Sequence, residues 1–240
     1  MKNPLTNTLA RFCMLLSLPL LVSATPITWD LTGNAGQLAN GAFLNFPTQN
    51  GISVTATAWS VTDLNAALQS AAPGQWSVGM GVCNATEGFN CGSPNHQVDN
   101  NNGFDFVLFQ FSSPVNLASI VVDPYGTFDR DVTYWTGSAT SGLNLAGKTL
   151  ASLTSGPLNW SGPTNVLNTV GSGGLSVALT GNSVNSLLFG ATTLNGYTGD
   201  DYFKITGLTV NPAQVPEPGT YAMLGAGLTL LGLARRFLRK

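Results

Sequence analysis

The sequence predicts an all-β fold, an antiparallel two-sheet β-sandwich of jelly-roll type, and three observations lead there. Short runs rich in Val, Ile, Thr, Phe and Trp recur from Pro26 onward, separated by clusters of Gly, Asn, Asp, Pro and Ser. Helical periodicity is nearly absent between residues 25 and 213, and no repeat of propeller or solenoid length is visible. Only 8% of the chain is charged, so its solubility must rest on Asn, Ser, Thr and Gly, as suits an extracellular β-protein.

The elements follow in chain order. Residues 27–31 and 42–46 are the first strand candidates. Residues 51–62 alternate most clearly: Ile52, Val54, Ala56 and Ala58 share one face, and Ser53, Thr55, Thr57, Trp59 and Val61 share the other. That pattern describes a half-buried strand. Residues 64–71 make the one plausible helical turn, with Asp63 as its N-cap and Pro73-Gly74 as its end. Further strands are expected at 76–82, 104–111, 115–123, 131–136, 175–180, 186–189 and 202–210. In residues 104–111, Phe104, Phe106 and Leu108 face one way and Val107, Phe109 and Phe111 the other, so this strand is apolar on both faces and belongs in the centre. Residues 137–174, rich in Ser, Gly, Asn and Thr, read as long surface loops with few strands.

Both ends read as targeting segments. Lys2 and Arg11, an apolar stretch over 12–22 and the small-residue site Val22-Ser23-Ala24 have the layout of a secretory signal peptide over residues 1–24. One domain, 25–213, would follow. In the tail, 214–240, Pro216 and Pro218 flank Glu217, and each proline fixes φ and lacks an N–H, so the segment should stand as an accessible stalk. Residues 221–234 carry no charge, yet the run is shorter than the roughly 20 apolar residues of a stable span. A short, marginal transmembrane helix is expected. Arg235, Arg236, Arg239 and Lys240 would act as a membrane stop held on the cytoplasmic side.

Proline stalk, short apolar helix and basic stop, in that order, resemble the PEP-CTERM sorting signal of Gram-negative bacteria. The resemblance implies recognition by an exosortase at Pro216-Glu217-Pro218, after export by way of signal peptidase. It also implies transient anchoring in the inner membrane, then a cell-surface or extracellular-matrix location tied to biofilm, floc or exopolysaccharide.

Charge narrows the partners of the body. Six of the nine basic residues lie in the two ends, which leaves Arg130, Lys148 and Lys204 against ten acidic residues and a net charge of −7 over 25–213. Nucleic acid is not expected as a partner, because phosphate binding needs clustered Lys and Arg. Cys83 and Cys91 are the cysteines of the body and, in an oxidising compartment, are expected to pair as a disulfide.

Between Gly79 and Asp105 lies the most individual stretch. Gly79-Met80-Gly81-Val82, an acidic residue, and His96-Gln97-Val98-Asp99-Asn100 before a hydrophobic strand, with Asp200-Asp201-Tyr202-Phe203 near the end of the body, are similar to a body recurrent among exosortase-dependent surface proteins. That resemblance implies a secreted surface protein and names no activity. Glu87, Asp99, Asn100 and Asp105 supply oxygen donors of the kind calcium takes, although the spacing is not that of an EF-hand. Asp99, Asn100, Asn101 and Asn102 also suit a turn shaped by side-chain to backbone hydrogen bonds. The two readings can coexist.

An enzyme is not expected. His96 is the one histidine, no free cysteine remains in the body, and no Ser sits in a Gly-x-Ser-x-Gly elbow. The pairs Asp129/Asp131 and Asp200/Asp201 show no pattern that builds a glycosidase cleft, which leaves a glycoside hydrolase as the least favoured class. The alternative to a matrix protein is a lectin-like module that stacks sugars on Trp76, Tyr125, Trp135, Trp160 or Tyr197, each of which could equally pack in the core.

Overall fold

The computed structural model describes residues 25–93, 95–167, 173–194, 201–213 and 218–237. The signal-peptide segment, Tyr197, Asp200, Pro216, Glu217, Arg239 and Lys240 lie outside those residues. The body spans Thr25–Ala213. Its strands are β1 (Ile27–Asp30), β2 (Gly36–Gln37), β3 (Phe43–Gln49), β4 (Ile52–Val61), β5 (Gln69–Trp76), β6 (Gly79–Cys83), β7 (Val98–Asp99), β8 (Phe104–Pro124), β9 (Val132–Gly137), β10 (Ser161–Val166), β11 (Leu175–Ala178), β12 (Val184–Ala191) and β13 (Tyr202–Pro212). One short helix, α1 (Leu150–Thr154), joins them, and α2 (Pro218–Phe237) follows the body. The fold is all-β, and the named strands of the described residues pair antiparallel.

Strand β8 organises the sheet. The two strands expected at 104–111 and 115–123 run on as one, through the exposed Ser112, Ser113 and Pro114. Its first half lies between β4 and β12, with Phe106 opposite both Trp59 and Gly190. Its second half lies beside β13 and β11, with Ile120 opposite Leu208 and Val177. Alternation then sorts the side chains. Val107, Phe109 and Phe111 join Trp29, Phe189 and Phe203 in the larger apolar cluster, while Phe104, Phe106 and Leu108 join Trp135, Trp160 and Leu153 in a second one. A fully buried side chain of this size contributes about 1.5–3 kcal/mol. The first half of β8 is therefore buried on both faces, as its sequence requires.

The second cluster corrects the reading of 137–174 as surface loop. Leu145, Leu150, Leu153 and Trp160 come from that region and cover the outer face of β8, β9 and β12. Helix α1 is set there by Thr149, whose hydroxyl accepts from the Ser152 N–H at 3.3 Å while the Ser152 hydroxyl accepts from the Thr149 N–H at 3.1 Å. Gly137 is required beneath it, because a Cβ there would meet the Trp160 ring.

Two further expectations are corrected. Residues 64–71 form no helical turn: Asp63 Oδ1 accepts from Asn65 N in a tight turn, the Leu68 N–H donates to Lys148 O at 2.7 Å, and β5 begins at Gln69. A partner from far along the chain outweighs the local preference. Residues 76–82 are no single strand either, since Trp76 pairs across the two-residue turn Ser77-Val78 with Gly79, which opens β6 at φ +118°. The result is the β5–β6 hairpin.

Helix α2 is described by itself. Leu224, Leu228, Leu230 and Leu231 are exposed, as are Arg235 and Arg236 in its last turns. Among the described residues no helix is long and apolar enough to cross a membrane. The expected transmembrane helix is thus a helix whose apolar run stops short, where the two arginines enter it.

Candidate functional site

The β5–β6 hairpin, the polar loop after it, β7, the start of β8 and the start of β13 converge on one set of charged side chains. Strand β7 brings Val98 and Asp99 beside Phe203 and Tyr202, and Met80 of β6 pairs with Ile205. Lys204 lies between these two contacts and is 3% exposed. Its ammonium donates to the His96 carbonyl and sits 3.7 Å from the centroid of the Trp76 ring, which stacks on His96 at 4.5 Å. The spacing Gly79-x-Gly81 leaves room for this side chain. A Cβ at Gly79 would fall 2.9 Å from Lys204 Cβ, and one at Gly81 would meet Lys204 Nζ and the His96 carbonyl.

Three carboxylates complete the cluster. Asp99 and Asp105 are fully buried, and Glu87 is half-buried. Asn84 ties two of them, Glu87 and Asp105, together: its N–H donates to Glu87 Oε2 at 3.1 Å and its Nδ2 to Asp105 Oδ1 at 3.1 Å, while its Oδ1 accepts from Thr86 N and Glu87 N. Asp99 Oδ1 accepts from Asn101 N at 2.9 Å, and Asn102 and Gly103 follow at φ +57° and +125°. Asp99 therefore shapes its turn as the Asn-rich run suggests, yet among the described residues its other oxygen, Oδ2, has no hydrogen-bond partner, and neither has Asp105 Oδ2.

Electrostatics follow from that burial. Desolvation first, then the Glu87 charge, pushes Asp99 up to about 8. Asp105 is raised well above the usual carboxylate range by burial and then by Asp99 and Glu87, and burial raises Glu87 to about 7. Lys204 is pushed down to about 6 by burial, against the pull of Asp99 and Asp105. His96 is held below its usual value by burial and then by Lys204.

The structure brings Glu87, Asp99 and Asp105 into one electrostatic group and turns Asn100 away from it. Asn100 Nδ2 donates to Asp201 Oδ2 at 2.6 Å, and Asn100 Oδ1 accepts from Asp201 N at 3.2 Å. There it meets a second acidic group that the sequence pairs did not reveal. Oxygens of Asp129, Asp131 and Asp201 lie within 4.8 Å of one another, with Asp201 also accepting from Asp131 N at 2.9 Å and Thr192 N at 3.2 Å. Of the two, the second is the one whose oxygens gather within reach of a single oxygen-seeking ion such as calcium. Cys83 and Cys91, beside Glu87, offer no thiolate because a disulfide joins them, with Cα atoms 5.9 Å apart.

The aromatic candidates separate by burial. Trp135 and Trp160 are 2% and 3% exposed and belong to the second apolar cluster, so neither presents a sugar platform. Trp76 is half-buried under Lys204 and His96. Tyr125 is 41% exposed and stacks at 6.2 Å on Phe128, which sequence reading passed over. Beside Tyr125 lies a cavity of about 350 Å³ lined also by Asp123, His96, Gln97 and Lys204.

Residues 214–240 match the family model of the PEP-CTERM protein-sorting motif. This chain carries a PEP-CTERM sorting signal. The signal marks an exported protein processed by an exosortase and directed to the cell surface. Pro218, the last residue of the Pro-Glu-Pro stalk, opens α2, and the basic residues Arg235 and Arg236 of the PEP-CTERM signal lie in it. No curated protein and no solved structure matches the chain.

Proposed function

We propose that this is a surface or extracellular-matrix protein of a Gram-negative bacterium, sorted at Pro216-Glu217-Pro218 and associated with exopolysaccharide, biofilm or floc. The observation that carries the reading is the sorting motif over residues 214–240. An acidic body with three basic residues suits an uncharged or weakly interacting matrix better than nucleic acid. The two halves of β8, each in its own set of neighbours around the shared cluster of Trp29, Phe109 and Phe203, support a two-layer β-sandwich as its architecture.

The test is fractionation of strains with and without exosortase, with mass spectrometry of the C-terminus. Surface protein truncated near Pro216 in the first strain, and cell-associated full-length protein in the second, is the expected pair of results. Surface-located protein that still ends at Lys240 overturns the processing step.

A lectin-like module is the second reading, favoured by the exposed Tyr125, which stacks on Phe128 and lines a cavity together with Asp123 and Gln97.

A further inference from the structure

Tyr125 is a fixed platform rather than a loop-tip side chain. Its N–H donates to Tyr202 O at 2.8 Å and its carbonyl accepts from Phe128 N at 3.2 Å, which closes the turn after β8. Phe128 packs in turn on Tyr202, with ring centroids 4.5 Å apart. An aromatic plane backed in this way keeps one face for a ligand and loses little conformational freedom when one arrives.

The cavity beside it has the complementary polar groups. Gln97 lines it, is 3% exposed, and its Oε1 has no hydrogen-bond partner among the described residues. A buried acceptor left without a donor is costly in the free protein, and a ligand hydroxyl would satisfy it. Asp123, on the same cavity, is half-buried and adds a carboxylate acceptor. Lys204 Nζ, on the same cavity, is already held by the His96 carbonyl and over the Trp76 ring, so it offers little to an anion. With a net charge of −7 on the body, an anionic ligand is further disfavoured. Aromatic plane, two acceptors and no free cation fit a ring that is apolar on its C–H face and rich in hydroxyl donors on its edge. At about 350 Å³ the cavity is near the small end of ligand sites, roughly 300–1,000 Å³, which suits one or two sugar units.

We propose that this cavity is a saccharide subsite that takes a neutral hexopyranose unit of an extracellular polysaccharide, with the ring face on Tyr125 and hydroxyls on Asp123 and Gln97. The proposal rests on the lectin-like reading and gives it a site.

Native affinity electrophoresis of the full chain tests it, in gels containing dextran, mixed-linkage β-glucan or galactomannan, with alginate as the anionic comparison. The expected result is retardation by at least one neutral polymer, reversed by its free hexose. Tyr125→Ala should weaken retardation at least tenfold, and Asp123→Asn several-fold, while their melting midpoints stay at the parent value. Gln97→Glu, which keeps the size and adds a charge, covers the buried position should a larger truncation fail to fold. Retardation that survives both Tyr125→Ala and Asp123→Asn overturns the subsite and leaves a lectin with its site elsewhere. Failure of every neutral polymer to retard the protein, or retardation by alginate alone, overturns subsite and lectin-like reading together. The sorting reading is untouched by either result, since it answers to fractionation.

Discussion

The Lys204 ammonium rests 3.7 Å from the centroid of the Trp76 ring, at the end of a path that Gly79 and Gly81 keep open. Both glycines are needed for space, and Gly81 most, because a methyl group there would collide with Nζ and with the His96 carbonyl. Gly81→Ala should therefore destabilise the body by about 3 kcal/mol, the upper range of overpacking costs. Lys204→Met retains the stem but leaves the His96 carbonyl without its donor, at a cost of about 1–3 kcal/mol. Urea denaturation of both variants checks the order. Equal stability of Gly81→Ala and the parent would show that the path has slack.

Stability should fall as pH rises from 5.5 to 8. Folding raises Asp99 from 3.8 to about 8 and Glu87 from 4.5 to about 7, and raises Asp105 as well. Their contribution is complete below the unfolded values and is lost as pH rises through the folded ones. Lys204 is lowered from 10.5 to about 6, so its contribution is present above 10.5 and is lost as pH falls through 6. Within the window the raised carboxyls outnumber the single lysine, so the carboxyls set the slope. Each kcal/mol moves the melting midpoint by about 2–4 °C at this size. A midpoint that climbs toward pH 8 reverses the sign and removes the cluster as its cause; Asp99→Asn should flatten the slope.

A divalent cation could neutralise the same oxygens. Asp99 Oδ2 and Asp105 Oδ2 are buried without partners among the described residues, and an oxygen-seeking ion such as calcium would use them where a proton otherwise does. After exhaustive dialysis, millimolar calcium should raise the melting midpoint and a chelator should reverse the gain. Asp105→Asn should abolish the response. A response lost instead in Asp129→Asn would place the ion among Asp129, Asp131 and Asp201, whose oxygens lie within 4.8 Å. An unchanged transition in all cases leaves protons as the neutralising agent.

Local patterns were readable from the sequence and distant partners were not. The alternation over 52–58 and the two apolar faces of Phe104–Phe111 state their burial residue by residue, because each depends on period two alone, whereas Trp59 and Val61, on the polar face by alternation, are buried by the second cluster. The sorting signal is likewise a local order of stalk, apolar run and basic residues. By contrast, Lys204 stands 105 positions beyond Asp99 in the numbering, and nothing near either residue announces that β13 and β7 pair. Asn100 reads as a neighbour of Asp99, yet strand geometry turns it to Asp201. Trp135 and Trp160 read as equal candidates with Tyr125 for a sugar platform. Only the folding of 137–160 over the sheet decides that they are core, so that truncating either would destabilise the body and would not test a sugar platform.

The Cys83–Cys91 disulfide closes a loop of sequence separation 8 that carries Glu87 and Asn84. For so short a loop, chain entropy gives a stabilisation of about 2–3 kcal/mol. Other contacts also hold the loop: Cys91 N donates to Gln37 Oε1 at 3.1 Å, and Gln37 Nε2 donates to the Phe89 carbonyl. Reduction should therefore lower the unfolding free energy by no more than that entropic amount while leaving the sheet intact, as judged by far-UV circular dichroism. Reduction in a Gln37→Ala background should cost more than the sum of the two changes alone, because the loop then loses both of its tethers. Additive losses would show that the disulfide and Gln37 hold independent parts of the loop.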